Sequence, residues 1–305
     1  MAEAATLRPN RGGLRRPKKV LWQSKPIPWV GGGGGSPTAS QPHSFQLVPA
    51  RVPKQRPPTH PLRIVNTTSK LGPLLAFGPH PDDIEFGCGG VIAVETRAGR
   101  PVHQVVCSRG EAGTHGTPAQ RTAEAKKSAA LLGATVEFVK LDGDAHLEIR
   151  AAHAIKLAAI LRRVRPAIVL APSLVENQHP DHWRLGQLVR DACRLARYGG
   201  LKELRRQPPH AVEQLFFYAV TPEAEPTNQG RVLVDVSAPE VLAAWTAAMQ
   251  AHATQVRARN YIELQLARAR FQGLRAGISH AIPLFPNDPP VLDSLGQLGR
   301  AARQF

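Results

Sequence analysis

Residues 74–87, with the sequence LLAFGPHPDDIEFG, decide the fold of this 305-residue chain. Four apolar residues, Leu74–Phe77, followed by a glycine and two prolines predict a short buried strand that ends abruptly. Three side chains that bind metals or move protons follow it: His80, Asp82 and Asp83. Because ligands of open α/β sheets bind beyond the carboxyl ends of the strands, we expect a functional site here.

Strand and helix patterns alternate along the rest of the chain, which predicts crossover units and a parallel sheet. Further strands are predicted at 102–107, 136–141, 167–171, 214–219 and 232–236. Helices are predicted at 91–97, 120–132, 148–163 and 183–197, followed by one long helix at 239–272 and an irregular segment at 278–305. The expected fold is α/β: a Rossmann-like, mostly parallel sheet with helices on both faces.

The N-terminal part of the sequence has a different composition. Residues 1–63 carry 11 of the 39 Lys and Arg residues but one of the 23 acidic residues, so most of the net charge of +16 lies there. Residues 1–61 are rich in Pro and Gly, a composition typical of disordered chains. We predict a disordered basic extension at 1–61 and one catalytic domain at 62–305. A nucleic-acid role is not favoured, because neither an aromatic ladder nor a binding motif accompanies the charge.

The cysteines and the apolar runs indicate the cellular environment. The three cysteines, Cys88, Cys107 and Cys193, have no zinc-finger or redox spacing, so a reducing cytoplasm is expected. Apolar runs stay well below the roughly 20 residues that a membrane span needs, and the start lacks the apolar core of a signal peptide.

A second polar cluster, His179-Pro180-Asp181-His182, also follows a buried-strand pattern. Strand ends on one side of a sheet can bring the two clusters together, which predicts His80, Asp83 and His182 as ligands of one metal ion. Two imidazoles and a carboxylate are typical of catalytic zinc, with a fourth position left for water.

Three residues of the two clusters are left for catalysis. Asp82 would accept a proton from the activated water and return it to a leaving amine. A protonated His179 could donate to the oxyanion, and Asp181 could orient it. An alternative, a dinucleotide-binding loop formed by Gly87, Gly89 and Gly90, is disfavoured because an acidic turn precedes them.

Both motifs resemble those of the PIG-L-type, LmbE-like, zinc-dependent de-N-acetylases. The resemblance spans about residues 72–285 and includes Ser108–Thr114 (SRGEAGT) and Arg121-Thr122-Ala123-Glu124. It implies the same ligands, Asp82 as general base, and His179 with Asp181 at the oxyanion. It adds the reaction, removal of an N-acetyl group from a glucosamine-type sugar.

Within that family the chain is most similar to enzymes that deacetylate N-acetylglucosaminyl-malate in bacillithiol synthesis. That likeness implies that Arg121 contacts the substrate. Arg109 and Asp144 are weaker candidates for holding sugar hydroxyls or an acid group. The sequence departs from the subgroup at Ser279-His280-Ala281, where Tyr-Ala-Glu is usual, and in the basic extension.

The expected protein is therefore a cytoplasmic, zinc-dependent hydrolase of a small N-acetylated amino sugar conjugate. The resemblance also implies a homo-oligomer. Three alternatives remain open: an amidase acting on a thiol conjugate, an enzyme for another N-acyl glycan, and a sugar-binding protein that does not catalyse.

Overall fold

The structure is a computed structural model that describes residues 71–176, 179–257 and 260–302. Seven strands in that part of the chain form one sheet in the order β3-β2-β1-β4-β5-β7-β6. Their bounds are β1 Leu74–Gly78, β2 Val102–Val106, β3 Thr135–Phe138, β4 Ile168–Pro172, β5 Gln214–Tyr218, β6 Val232–Asp235 and β7 Ala281–Pro286. The predicted extension at 1–61 lies outside the described residues and stays a prediction.

Six α-helices surround the described sheet: α1 Asp83–Arg97, α2 Pro118–Leu131, α3 Ala151–Val164, α4 Pro180–Ala196, α5 Pro239–Gln250 and α6 Tyr261–Arg275. Helix α2 begins with a capping box, in which Thr117 and Gln120 exchange side-chain and backbone hydrogen bonds. Helix α3 ends at Arg165, which adopts a left-handed conformation before Pro166. None of the described helices is long and apolar enough to cross a bilayer.

The strand order places a switch point beside β1. Strands β1 to β5 are parallel, whereas β7 runs antiparallel to both β5 and β6. The chain moves from β1 outward through β2 to β3, and then returns to β4 on the other side of β1. The connections after β1 and β4 therefore diverge and leave a crevice at the carboxyl ends of these strands, where ligands of such sheets bind. The α/β, mostly parallel sheet is as predicted.

Alternate residues of the strands feed two hydrophobic layers. Leu74 and Ala76 pack on one face with residues of α1, α5 and α6, including Trp245. Leu75 and Phe77 pack on the other face with α3 and α4. Because every second side chain of a strand points to the same face, a β1 that is buried on both faces must be apolar throughout.

Two features of the C-terminal third differ from the sequence prediction. The stretch predicted as one helix at 239–272 is two helices, α5 and α6, and the segment predicted as irregular contains β7. Strand β7 pairs with β5 and β6, a long-range contact that the Pro-rich local sequence does not reveal. Helix α1 begins eight residues earlier than the prediction, because tertiary packing outweighs the weak helix propensity of its glycines.

The glycines of α1 let the helix lie close to its neighbours. A Cβ atom at Gly87 would be 2.2 Å from the Tyr218 ring, and one at Gly90 would be 2.8 Å from Ile282. These residues are therefore packing positions inside a helix, which argues against a dinucleotide loop.

One buried cation fixes the chain that follows α4. Arg162 is 2% exposed, and its guanidinium donates to the carbonyls of Ala196, Tyr198, Leu204 and Gln207 at 2.6–3.0 Å. These four acceptors belong to the end of α4 and to the loop that leads to β5. Arg162 thus replaces the hydrogen bonds that the end of α4 cannot make within the helix.

We predict that Arg162→Met lowers the free energy of unfolding by at least about 2 kcal/mol, because buried carbonyls lose their donors. Arg194→Met, at an exposed position of α4, is the matched control and should change it by less than about 0.5 kcal/mol. Urea denaturation of both variants measures the difference. Equal losses in the two variants would refute the role assigned to Arg162.

Candidate functional site

The turn between β1 and α1 positions the first polar cluster. The hydroxyl of Ser108, which follows β2, donates to the carbonyl of Pro79 at 2.8 Å and ties the turn to the next strand. His80 and Asp83 are 6% and 5% exposed. Asp82 has φ 127°, a conformation that residues other than glycine rarely adopt and that is commonly found at functional sites.

The first turn of α4 positions the second cluster. His179 is the N-cap residue, and its Nδ1 accepts a hydrogen bond from the backbone N–H of Asp181 at 3.3 Å. Pro180 occupies the first helical position, where its missing N–H costs nothing. The side chains of Asp181 and His182 therefore project from the first turn of α4 in fixed directions, at the crevice beside β1.

The two clusters meet at Asp83. One carboxylate oxygen, Oδ2, lies 3.0 Å from Nδ1 of His80, and the other, Oδ1, lies 3.2 Å from Nε2 of His182. The ring centroids of His80 and His182 are 5.6 Å apart. The structure thus brings together three side chains from separate elements that the sequence analysis placed at one metal.

Two further carboxylates hold the other ring nitrogen of His80. Its Nε2 lies 3.0 Å from Asp144 Oδ1 and 3.3 Å from Asp181 Oδ2. The same Asp181 oxygen accepts from the backbone N–H of Ala145 at 2.8 Å, and Ala145 has a positive φ of 66°. The loop after β3 is therefore bent so that Asp144 and a backbone donor both face the site.

The donor atoms permit more than one grouping of possible ligands. Those of His80, His179 and His182 lie within 4.8 Å of one another, as do those of His80, Asp144, His179 and Asp181. Neither group includes Asp83, whose two oxygens contact His80 and His182 separately. His80 and His179 are common to both groups.

The charges of the site are strongly coupled. Burial alone would raise the pKa of Asp83, but His182 and His80 hold it well below its usual range. Burial would lower the pKa of His80, and Asp83, Asp144 and Asp181 instead raise it well above its ordinary value. In the protein without a cation, the imidazole of His80 thus carries a proton that a bound metal ion would replace.

Asp82 differs from its neighbours. Burial, together with the charge of Asp83, raises its pKa to about 6, and Arg121 acts in the opposite direction. Its Oδ2 lies 3.2 Å from Nη2 of Arg121. A carboxylate with this pKa can exchange a proton near neutral pH.

The structure refines the predicted state of His179. Burial and the nearby charges of His80 and His182 lower its pKa, which favours the neutral ring. With Nδ1 accepting from the backbone, the proton of a neutral ring is assigned to Nε2. His179 can therefore donate a hydrogen bond without being an imidazolium. The backbone of Asp181 orients the ring, whereas the carboxylate of Asp181 contacts His80.

The three predicted substrate-binding residues lie in different surroundings. Arg109 is exposed, and Asp144 is 5% exposed. Arg121 is 4% exposed, with its guanidinium bonded to the carbonyl of Pro81 and to Asp82. Asp144 and Arg121 line the cavity of the site, and Arg109 lies outside its wall.

The cavity has a volume of about 670 Å³. Besides the polar clusters, its lining includes residues that the sequence analysis missed: Phe86, Thr221, Glu223, Gln255 and Tyr261. These come from α1, from the segment after β5 and from the chain around the start of α6. Such long-range placement leaves no local signal in the sequence.

Another histidine, His252, lies near the cavity residue Phe86, with ring centroids 6.3 Å apart. His252 is fully buried, and its Nε2 lies 3.4 Å from Oε2 of Glu85, which is 2% exposed. Burial lowers the pKa of His252, but the adjacent carboxylate of Glu85 and the charges of Asp82 and Glu124 raise it above its ordinary value of 6.5. The folded state therefore binds this proton more tightly than the unfolded chain does.

We predict a stability change with pH that depends on His252. Because the pKa is higher in the folded state, the stabilisation is complete below pH 6.5 and is lost as the pH rises through the raised value. Urea denaturation from pH 5.5 to 9 measures it. His252→Gln should flatten the dependence in that range, and an equally steep curve for this variant would contradict the assignment.

Comparisons with known proteins are consistent with this geometry. A family model described as "PIG-L: GlcNAc-PI de-N-acetylase" matches residues 75–193, a range that contains both polar clusters. The diacetylchitobiose deacetylase of Thermococcus kodakarensis is 29% identical over 197 residues, 60% of this chain and 69% of that protein. The 4-oxalmesaconate hydratase of Pseudomonas putida is 32% identical over 152 residues, 46% of this chain and 58% of that protein.

A solved structure extends the comparison to most of the chain. The conserved protein TT1542 of Thermus thermophilus superimposes with a TM-score of 0.66 at 32% identity. The match covers 76% of this chain and all of that one. The likeness therefore extends over the full length of that relative.

Proposed function

Because the chain belongs to the PIG-L family, we propose that it is a zinc-dependent hydrolase that removes the N-acetyl group from an N-acetylglucosamine conjugate. The observation that carries the proposal is the meeting of His80, Asp83 and His182 beside Asp82, a carboxylate outside this ligand set. The similarity to a diacetylchitobiose deacetylase supports the choice of an acetylated amino sugar.

The donor types present, imidazole nitrogens and carboxylate oxygens, fit zinc. A tetrahedral zinc with bonds of about 2.0–2.2 Å to nitrogen and oxygen has ligand atoms about 3.3 Å apart. Oδ2 of Asp83 lies 3.0 Å from Nδ1 of His80 and Oδ1 lies 3.2 Å from Nε2 of His182, and each pair is close to that spacing. Asp83 is outside the two groups of residues whose ligand atoms all lie within 4.8 Å of one another, so binding zinc through this trio requires a small shift of the side chains. The remaining nitrogen of His80 faces Asp144 and Asp181, the arrangement in which a carboxylate orients a metal-binding imidazole.

When bound, zinc would supply Lewis acidity toward the amide carbonyl and lower the pKa of water to near neutrality. Asp82 accepts the proton of the attacking water. It later returns that proton to the nitrogen of the leaving amino sugar, which departs as a neutral amine. The pKa of about 6 suits both steps, because the group is ionised for the first and can hold a proton for the second.

His179 faces the same cavity from the first turn of α4. Its Nε2–H is the donor that we assign to the negative charge developing on the carbonyl oxygen. A positioned donor of this kind contributes about 10²- to 10³-fold to the rate in related acyl-transfer chemistry. Asp181 supports it indirectly, through the backbone hydrogen bond to Nδ1.

The finer prediction of a malate conjugate finds little support in the cavity. Its described lining contains the acids Asp82, Asp83, Asp144 and Glu223, against one arginine, Arg121. That guanidinium is buried and already bonded to a carbonyl and to Asp82. We therefore place a neutral N-acetylglucosamine conjugate first and keep N-acetylglucosaminyl-malate of bacillithiol synthesis as the alternative to assay.

A second candidate reaction is hydration, which the similarity to 4-oxalmesaconate hydratase favours. Such a substrate is a polycarboxylate, and the acidic lining weighs against it as it does against malate. A thiol-conjugate amidase, another N-acyl glycan hydrolase and a non-catalytic sugar-binding protein are the remaining alternatives. We also propose a cytoplasmic, self-associating enzyme, consistent with the cysteine usage and the initial resemblance.

We predict that Asp83→Ala and His182→Ala proteins lose bound zinc, because each variant removes a ligand. The His179→Ala protein is the matched control and should keep about one zinc per chain. Metal analysis by mass spectrometry after dialysis measures the content. If the Asp83→Ala protein keeps its zinc and the Asp144→Ala and His179→Ala proteins lose it, the assignment is wrong. The metal would then bind on the other side of His80.

We predict that Asp82→Asn lowers the rate of acetate release by about 10²- to 10⁴-fold while zinc remains bound, because the general base is removed. Asp288→Asn, at an exposed position, should leave the rate unchanged. Substrates to compare are N-acetylglucosamine, diacetylchitobiose, N-acetylglucosaminyl-malate and 4-oxalmesaconate.

Acetate release from a sugar by the wild-type enzyme, abolished in Asp82→Asn, supports the proposal. Turnover of 4-oxalmesaconate without acetate release would refute the deacetylase and support a hydratase. If wild type and Asp82→Asn bind the sugar equally and neither turns it over, the protein is a sugar-binding protein and the deacetylase proposal is refuted.

A further inference from the structure

Arg121 occupies an unusual position for a residue expected to contact substrate. It lies in the first turns of α2, and it is 4% exposed. Its Nη2 donates to the carbonyl of Pro81 at 2.9 Å and to Oδ2 of Asp82 at 3.2 Å. One nitrogen therefore holds both the backbone and the side chain of the turn that carries Asp82.

That turn needs such support. Asp82 has φ 127° and ψ −30°, and a residue other than glycine in a sparsely populated region costs about 1–3 kcal/mol. The conformation persists only if the surroundings enforce it. The hydrogen bonds from Arg121 flank the strained residue, on the carbonyl before it and on its own carboxylate, so they can supply that enforcement.

The glycines of the Ser108–Thr114 segment explain how the guanidinium fits. A Cβ atom at Gly110 would be 2.1 Å from Nη1 of Arg121, and one at Gly113 would be 2.8 Å from it. The carbonyl of Gly110 also accepts from Nη1 at 3.5 Å. These two glycines thus form a slot for Arg121, which accounts for a motif that ligand binding and catalysis leave unexplained.

From these contacts we infer that Arg121 is a positioning residue that acts through Asp82, and that the glycine slot of the SRGEAGT segment exists to hold it. This inference deepens the proposed function, on which its kinetic test depends. It differs from the role expected from the resemblance, in which Arg121 contacts the substrate. The two roles give different kinetics, because a positioning residue changes the chemical step and a substrate contact changes binding.

A double-mutant comparison tests the inference. Arg121→Met should lower kcat by about 10- to 100-fold, leave KM within about twofold and leave the zinc content unchanged. Arg121→Met combined with Asp82→Asn should be no slower than Asp82→Asn alone. Additive losses, or a raised KM with unchanged kcat, would overturn the inference. Lys126→Met, an exposed cation of the same helix, is the control for charge loss and should behave like wild type.

Two milder variants keep the test valid if Arg121→Met does not fold. Arg121→Lys keeps the charge without the planar fork, so its kcat should lie between those of wild type and Arg121→Met. Gly113→Ala should reduce kcat by displacing Nη1, and it should have no further effect in the Arg121→Lys background. Gly200→Ala has open space around its Cβ position and is the matched control. A wild-type kcat in Gly113→Ala would contradict the slot.

A stability measurement separates this inference from the proposed function. Unfolding of wild type, Arg121→Lys, Asp82→Asn and the double variant in urea gives a coupling that needs no substrate. The inference requires the double variant to lose less stability than the sum of the single losses. Additive losses of stability would overturn the inference whether or not the enzyme releases acetate. If the two variants are coupled in stability but the wild-type protein has no hydrolase activity, only the proposed function is wrong.

Discussion

The site depends on one carboxylate that spans two imidazoles. Asp83 contacts His80 in the turn after β1 and His182 in the first turn of α4. These elements are about 100 residues apart in the sequence, and the parallel pairing of β1 with β4 makes them neighbours. Because the connections after these strands diverge, the crevice between them stays open to a ligand.

The rest of the molecule holds this meeting point in place. Both layers of the core pack on a β1 that is apolar on its two faces, so the turn after it is anchored from both sides. Ser108 fixes that turn to β2, and the backbone N–H of Ala145 fixes Asp181. The strained backbone of Asp82 and Ala145 lies among these contacts, which is where a stable scaffold can support local strain.

The sequence predicted those parts of the fold and site that local patterns encode. An apolar run that ends in Gly-Pro identified β1 and the first polar cluster. A second buried-strand pattern, at 167–171, preceded the second polar cluster. The pairing of β7 between β5 and β6 was missed, because strand pairing at long range has no local period and Pro283 and Pro286 obscured the strand. The break between α5 and α6 was missed because Ala- and Arg-rich sequence favours helix throughout.

The residues of the site also divide into those that the sequence identified and those that only the structure shows. His80, Asp83 and His182 were predicted from ligand chemistry, and the structure brings them together. The contribution of Glu223, Gln255 and Tyr261 to the cavity could not be predicted, because it follows from tertiary packing. Arg121 was expected at the substrate, and its buried contacts with Pro81 and Asp82 indicate a different task.

The position of the metal is the most direct test of the account. Crystals of the zinc-loaded protein, measured on both sides of the zinc absorption edge, would locate the ion by anomalous scattering. A zinc ion held by these three side chains requires one peak at about 2.0–2.2 Å from His80 Nδ1, from an Asp83 oxygen and from His182 Nε2. A peak between Nε2 of His80 and the carboxylates of Asp144 and Asp181, or no peak in this crevice, would contradict it.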